Sequence, residues 1–214
     1  IWKAINDLRR SGYTIDAISN KGYMLVDDND IVSSQGIISH LNASLASFYK
    51  NAPSLITIMD QATSTNIIAK EAAINNLKHG TLIIANKQTA GRGHLNHSFH
   101  SPKGGLYMSL VMSPEMIPYK SNDEITQFIG RSVCDAIAAI SDIHPMLKPI
   151  NDIYVGNKKL CGILTEAGTE FETGLLQWIV VGIGINFSSD VDEFPDDIKE
   201  KATSLIAEGA KGLT

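Results

Sequence analysis

Thr81-Leu82-Ile83-Ile84-Ala85-Asn86 and Leu106-Tyr107-Met108-Ser109-Leu110-Val111-Met112 are two apolar runs separated by a Gly- and His-rich stretch that begins Gln88-Thr89-Ala90-Gly91-Arg92-Gly93-His94 and ends at Gly105. Both runs read as strands. The loop between them is long for a compact domain, which points to function or disorder. Working outward, Leu55–Met59 reads as a further short strand. Ser64–Leu77 reads as a helix N-capped by Ser64, with Ile67, Ile68, Ala72 and Leu77 on its apolar face. Downstream, Asp123–Ile140 has the spacing of a long amphipathic helix. Lys158–Glu166 and Leu175–Phe187 read as strands, with Val155–Lys158 a tight turn before the first. Strands and helices are intermixed along the chain, so the expected class from the residues is one mixed α/β domain.

The chain has 214 residues, is 43% hydrophobic and 19% charged, and has a mean hydropathy near zero. At about 150 residues per domain this allows one or two compact domains and excludes a disordered chain. No apolar run approaches the roughly 18 residues of a membrane span, so no membrane partner is expected. The net charge of −5 argues against nucleic-acid binding by bulk electrostatics. Two cysteines, Cys134 and Cys161, make no disulfide framework and suit a cytoplasmic location. Cys134 reads as core with Val133 and Ile137. His40, His79 and His144 read as surface or linker residues.

Residues 1–26 differ in texture, with four Lys/Arg against two Asp. Ile1–Arg10 has helical spacing and Gly12 a C-terminal stop. Tyr13–Ile18 and Gly22–Val26 read as a hairpin across Ser19-Asn20-Lys21. Asp27-Asp28-Asn29-Asp30 makes a charged break, and Ile31–Leu45 reads as a connecting helix. Asp190–Glu200, with six acidic residues and one lysine, reads as a solvated surface. Ile1 is not a methionine, and the chain reads as clipped there.

Four further patterns carry chemistry. Gly91 and Gly93 around Arg92 let backbone N–H groups approach an anion that a guanidinium also grips. Ser64-Thr65-Asn66 places short polar groups at a helix N-terminus, where ordinary capping competes with ligand binding. Lys148-Pro149-Ile150-Asn151-Asp152 is followed by Lys159-Leu160-Cys161-Gly162-Ile163-Leu164. Gly182-Ile183-Gly184-Ile185-Asn186 puts glycines inside a strand, which weakens it unless another group must come close. His94, His97 and His100 recur every third residue, but no Cys or carboxylate completes a metal set. No pattern singles out a Ser-His-Asp nucleophile.

In this order the motifs closely resemble those of biotin protein ligases, within the biotin/lipoate protein ligase superfamily. The resemblance runs from about Leu55 to Leu205. It implies an α+β, biotin/lipoate-ligase-like catalytic domain with a central mixed sheet at 53–214, a helical linker at 29–52, and the C-terminal part of a winged helix-turn-helix DNA-binding domain at 1–28, with Ile1–Arg10 from the recognition helix and Ser19–Lys21 as the wing tip. The SH3-like barrel that follows in such proteins is not in this sequence.

The resemblance also implies an activity: ATP-dependent formation of biotinyl-5′-AMP, then transfer of biotin to a lysine of a biotin carboxyl carrier protein. Repression of transcription through operator DNA and a homodimer are further implications. Lys159 and Arg92 would be catalytic. Ser64, Thr65, Asn66, Gln88, Gly91, Arg92, Gly93, His94, Lys159, Gly162 and Gly182 would bind biotin. Phe99, Lys148, Asn151, Asp152 and Asn186 would face ATP, with Mg2+ held through Asp152. This sequence departs from the family at several points. His94 and His97 replace loop arginines, Phe99 replaces a tryptophan, and Pro149-Ile150 replaces Trp-Pro. Histidine is mostly neutral at pH 7, so the loop gives up fixed positive charge beside a doubly anionic intermediate. Two alternatives stay open: a lipoate or octanoate ligase, and a biotin-sensing repressor with weakened catalysis.

Overall fold

The computed structural model describes residues 1–10, 12–26, 31–76, 78–119, 121–170 and 172–211. The expected Asp27–Asp30 break and Leu77 lie outside these. The first elements are α1 (Trp2–Arg10) and an antiparallel hairpin of β1 (Ile15–Ile18) and β2 (Gly22–Leu25). The Arg9 guanidinium ties helix to hairpin by donating to the Ile15 carbonyl. No residue of α1 is buried.

The stretch expected as one connecting helix is two, α2 (Ser34–His40) and α3 (Ala43–Asn51). The chain is extended at Leu41 and Asn42, and the Asn42 side chain caps α3 by accepting from Leu45 N at 3.0 Å. Asn competes with helical backbone bonds and is better used as a cap than inside a helix.

The remaining elements are β3 (Ile56–Met59), α4 (Thr65–Asn76), β4 (Leu82–Ala85), β5 (Gly105–Met112), α5 (Asn122–Ile140), β6 (Met146–Lys148), β7 (Asp152–Val155), β8 (Lys158–Thr169), β9 (Leu176–Asn186) and α6 (Asp196–Lys199). Seven strands form a sheet of order β3-β4-β5-β9-β8-β7-β6, parallel only between β3 and β4. The mixed α/β class expected from sequence is what the chain adopts.

Each face of the sheet carries a helix. On one face α5 covers Cys161, Ile163, Ile179, Val181 and Ile185 with its own Ile125, Val133 and Ile137. On the other, α4 covers Ile83, Val111, Trp178 and Val180 with Ala69 and Ala73. The α4 face differs from the expected one: Ile67, Ile68 and Ala72 are only half-buried, while the small Ala69 and Ala73 sit deepest. Alanines let the helix backbone come close to the sheet, which isoleucine volume would prevent. That close approach brings Thr65 and Asn66, on the first turn, onto the sheet surface.

Strand alternation then sorts the site. Tyr107 pairs with Gly184, Ser109 with Gly182, and Gly184 in turn with Gly162. All five therefore line the α4 face, beyond the end of the apolar layer. The acidic tail is solvated as expected: Asp190, Asp192, Glu193, Asp196, Asp197 and Glu200 are exposed, anchored by the buried Phe194.

Candidate active site

The long loop is a hairpin. Gln88 N donates to Ser101 O, Phe99 N to Gly91 O and Gly93 N to His97 O, at 2.7 to 3.0 Å. A short 3-10 turn, His94–Asn96, closes its tip. The hairpin folds back so that the Phe99 ring lies on the paired glycines of β8 and β9. A Cβ on Gly162 would stand 2.9 Å from Phe99 Cε2, and one on Gly184 2.7 Å from Phe99 Cε1. These glycines are a floor from which side chains are excluded so that something flat can rest there. The Phe99 and Tyr107 rings meet edge to face, 6.3 Å between centroids.

A cleft opens on this floor, bounded by Ser64, Thr65, Asn66, Gln88, Arg92, Gly93, His94, Phe99, Asn151, Lys159, Gly162 and Gly182 among others. Most residues expected at the site thus meet in one place. Gln88 accepts from Thr65 N (2.8 Å) and Thr65 Oγ1 (3.2 Å), and so satisfies the first N–H of α4. Ser64 is buried at that turn. Ser109 Oγ lies 2.8 Å from Thr65 Oγ1 and 2.6 Å from Asn66 Oδ1. Asn66 Nδ2 reaches Leu164 O (3.4 Å) and Glu166 Oε2 (3.1 Å). Asn66 crowds Gly182 so closely that any side chain there would collide with its Oδ1. Buried polar chains of this kind fix side chains in one arrangement, because each broken link leaves an unpaired buried group.

Two cations face the cleft. Lys159 Nζ lies 2.7 Å from Asp152 Oδ1 and 5.7 Å from the Phe99 ring centroid. The Lys159 backbone is pinned to the segment after α6, donating to Lys201 O at 2.7 Å and accepting from Thr203 N at 2.9 Å. Arg92 NH1 lies 3.7 Å from Glu166 Oε1.

Other expected site residues stand elsewhere. Gly91 is packed under the hairpin against Phe99 O and Ser101 Oγ. Lys148 projects over the Tyr154 ring, 3.9 Å from its centroid. Asn186 is buried and donates to Thr203 O at 2.9 Å, tying β9 to the same segment that holds Lys159. Asn151, by contrast, does line the cleft, and its Nδ2 donates to Ile163 O at 3.2 Å. Ile150 is exposed and reaches a second recess shared with His94 and Asn151. His79, read from sequence as a surface or linker residue, is half-buried, and its Nδ1 accepts from Ser113 N at 3.2 Å. Cys161 points away from the cleft into the α5-side core, which explains why no chemistry attaches to it. Glu166, Lys70 and Ser109 escaped the sequence reading. The period-2 spacing Gly162, Leu164, Glu166 was the signal available.

A sequence model described as the biotin/lipoate A/B protein ligase family matches residues 58–186, well over half of the chain. The chain belongs to that family. Among its relatives, the bifunctional ligase/repressor BirA of Bacillus spizizenii is 36% identical over 206 residues, 96% of this chain and 61% of that protein. BirA of Escherichia coli is 29% identical over 189 residues, 88% of this chain and 54% of that protein. The biotin protein ligase of Aquifex aeolicus, solved in complex with biotin and ATP, superposes with a TM-score of 0.61 at 31% identity, over 72% of this chain and 62% of that one. The chain thus spans about six-tenths or less of the length of these relatives. The family match runs from within β3 to the end of β9, the elements that build the cleft.

Proposed function

We propose that the cleft joins biotin to ATP as biotinyl-5′-AMP with release of pyrophosphate, and then passes biotin to a lysine of a biotin carboxyl carrier protein. The observation that carries this reading is the convergence of Lys159, Arg92 and the polar chain of Thr65, Asn66 and Gln88 around a floor of paired glycines. The similarity to a ligase solved with biotin and ATP supports the choice of substrates.

In the first step a biotin carboxylate oxygen attacks the α-phosphorus, and the bond to pyrophosphate breaks. Two anions must approach, so fixed cations and positioning supply most of the catalysis. Lys159 and Arg92 are the cations at hand. Ser64, Thr65, Asn66, Gln88, Gly162 and Gly182 suit a neutral polar ring system with an apolar wall. Phe99, Asn151 and Asp152 suit the nucleotide side. In the second step the carrier lysine amine attacks the acyl carbon and AMP leaves. The Phe99 hairpin shields this hydrolytically fragile anhydride.

Mg2+ fits here as an ion carried largely by phosphate. Among the described residues no three His, Cys, Asp or Glu side chains come together, so Asp152 would hold it together with phosphate and water, as suits an ion that keeps several waters. It would offset phosphate charge.

Repression is a second proposed role, supported by the bifunctional relatives and by a basic helix and hairpin at residues 1–26, which would be part of a winged-helix domain at 1–28. A homodimer and a cytoplasmic location complete this reading; among the described residues no helix is long and apolar enough to cross a membrane. Incubating the chain with biotin, ATP, Mg2+ and a carrier domain, then blotting for biotinylated lysine, tests the ligase role. Labelled carrier is expected. A blank blot from a folded, ATP-binding chain would favour the sensor.

A further inference from the structure

Glu166 sits on β8 two residues beyond Leu164, on the cleft side of the sheet. Its Oε2 accepts from Asn66 Nδ2 at 3.1 Å, and its Oε1 lies 3.5 Å from Lys70 Nζ and 3.7 Å from Arg92 NH1. The side chain is 19% exposed, so its charge is poorly hydrated and needs these partners. Of the three, Arg92 is the most loosely held: it stands beyond hydrogen-bond distance, while Asn66 and Lys70 are nearer. Arg92 belongs to the hairpin and lines the cleft, while Glu166 belongs to β8, so the pair ties the hairpin to the sheet at the edge of the cleft. Lys159 is matched in the same way, with Asp152 at 2.7 Å.

We propose that Glu166 is the internal counter-anion of the cleft, a positioning residue that holds Arg92 until the anionic group of a ligand takes the guanidinium over. This inference rests on the ligase reading for the identity of that ligand, a carboxylate on a neutral ring system. Lys70 is the element that makes the exchange cheap. When Arg92 leaves, Lys70 and Asn66 remain on Glu166, and the buried carboxylate is not orphaned. Ligand binding at this corner is therefore an exchange of ion pairs, in which Glu166 competes with the ligand's own charge.

The test titrates the 214-residue chain and its variants with biotin and with biotin primary amide, which keeps the rings and loses the charge. Glu166→Gln retains an acceptor for Asn66. It is expected to bind biotin about threefold more tightly, the scale of a half-exposed ion pair, with the gain shrinking as salt rises and the amide unaffected. Glu166→Asp should keep the unaltered pattern. Lys70→Gln reads the same exchange in the opposite direction: Glu166 grips Arg92 harder, and biotin alone binds more weakly. If Glu166→Gln binds biotin no better, or if both ligands shift together, the exchange is wrong while the ligase reading stands. If Glu166→Gln does not fold, an unchanged biotin affinity in Lys70→Gln is the contradicting result. If the unaltered chain binds neither ligand, the ligase reading falls and this inference falls with it.

Discussion

At position 159 the backbone N–H and C=O are both bonded to the 201–203 segment, and the ammonium is held by Asp152. The lysine is thus presented to the cleft from an interior strand, its backbone flanked by β7 on one side and the 201–203 segment on the other. At position 94 the opposite holds: His94 is exposed on the hairpin tip and lines the cleft without a permanent charge to offer. His94→Arg should slow dissociation of a bound biotinyl-adenylate by about fivefold, the scale of one charge-assisted contact at a solvated site. An unchanged off-rate in a stopped-flow chase would contradict this. Lys159, Arg92, Gln88 and Asn66 were legible in the sequence because their types and order are unusual. Glu166 was not, since one carboxylate on a strand has no local signature, and its partners Arg92, Lys70 and Asn66 are all distant in sequence, Asn66 by 100 residues. Asn186 was legible as a polar strand end, but its bond to Thr203 depends on where the C-terminal segment docks.

Among the elements, α5 was readable from its 3.6-residue period, and β8 and β9 from apolar runs such as those at 160–164 and 178–181, which suit strands covered on both faces. The buried face of α4 was misread: isoleucine volume suggested the core, yet contact distance selected Ala69 and Ala73. The short β6 and β7 gave no pattern of their own, because Met146–Lys148 and Asp152–Val155 mix polar and apolar residues without the continuous apolar run that marks β3 and β4. The glycine floor is the element whose role is most exposed to test. Gly182→Ala would drive a methyl into Asn66 Oδ1 and dislodge it from Ser109. Biotin affinity should fall by about tenfold or more as the polar chain breaks, with stability lowered by about 1–3 kcal/mol from overpacking. Calorimetric titration together with denaturant unfolding checks both. Unchanged biotin affinity would contradict a floor that must stay bare.

For the whole molecule, two buried acid groups on opposite faces of the sheet set the alkaline limit. Burial raises the Cys161 thiol above its ordinary 9.0, with Lys159 partly offsetting it, and burial raises Tyr107, whose hydroxyl donates to Pro102 O at 2.9 Å, above 10.0. The unfolded chain releases these protons first, so the folded state binds more of them above that range. Stability is therefore fully present below about pH 9 and falls as pH rises further. Melting temperature should decline from about pH 8.5 to 10.5, and less steeply in Cys161→Ala. The same slope in both proteins would remove Cys161 from the account. The sheet's composition was legible at this scale as strands alternating with helices. Its order was not, because the pairing of β5 with β9 joins segments that are distant in sequence.

The central claim, that Lys159 helps to bring a carboxylate onto an α-phosphate, is most directly tested by biotin-dependent exchange of labelled pyrophosphate into ATP. This reads the first step without the carrier. The unaltered chain should catalyse the exchange. Lys159→Gln should retain its melting behaviour and lose about a hundredfold in exchange rate, the scale of removing one preorganised electrostatic contact. Undiminished exchange in a folded Lys159→Gln protein would contradict the account.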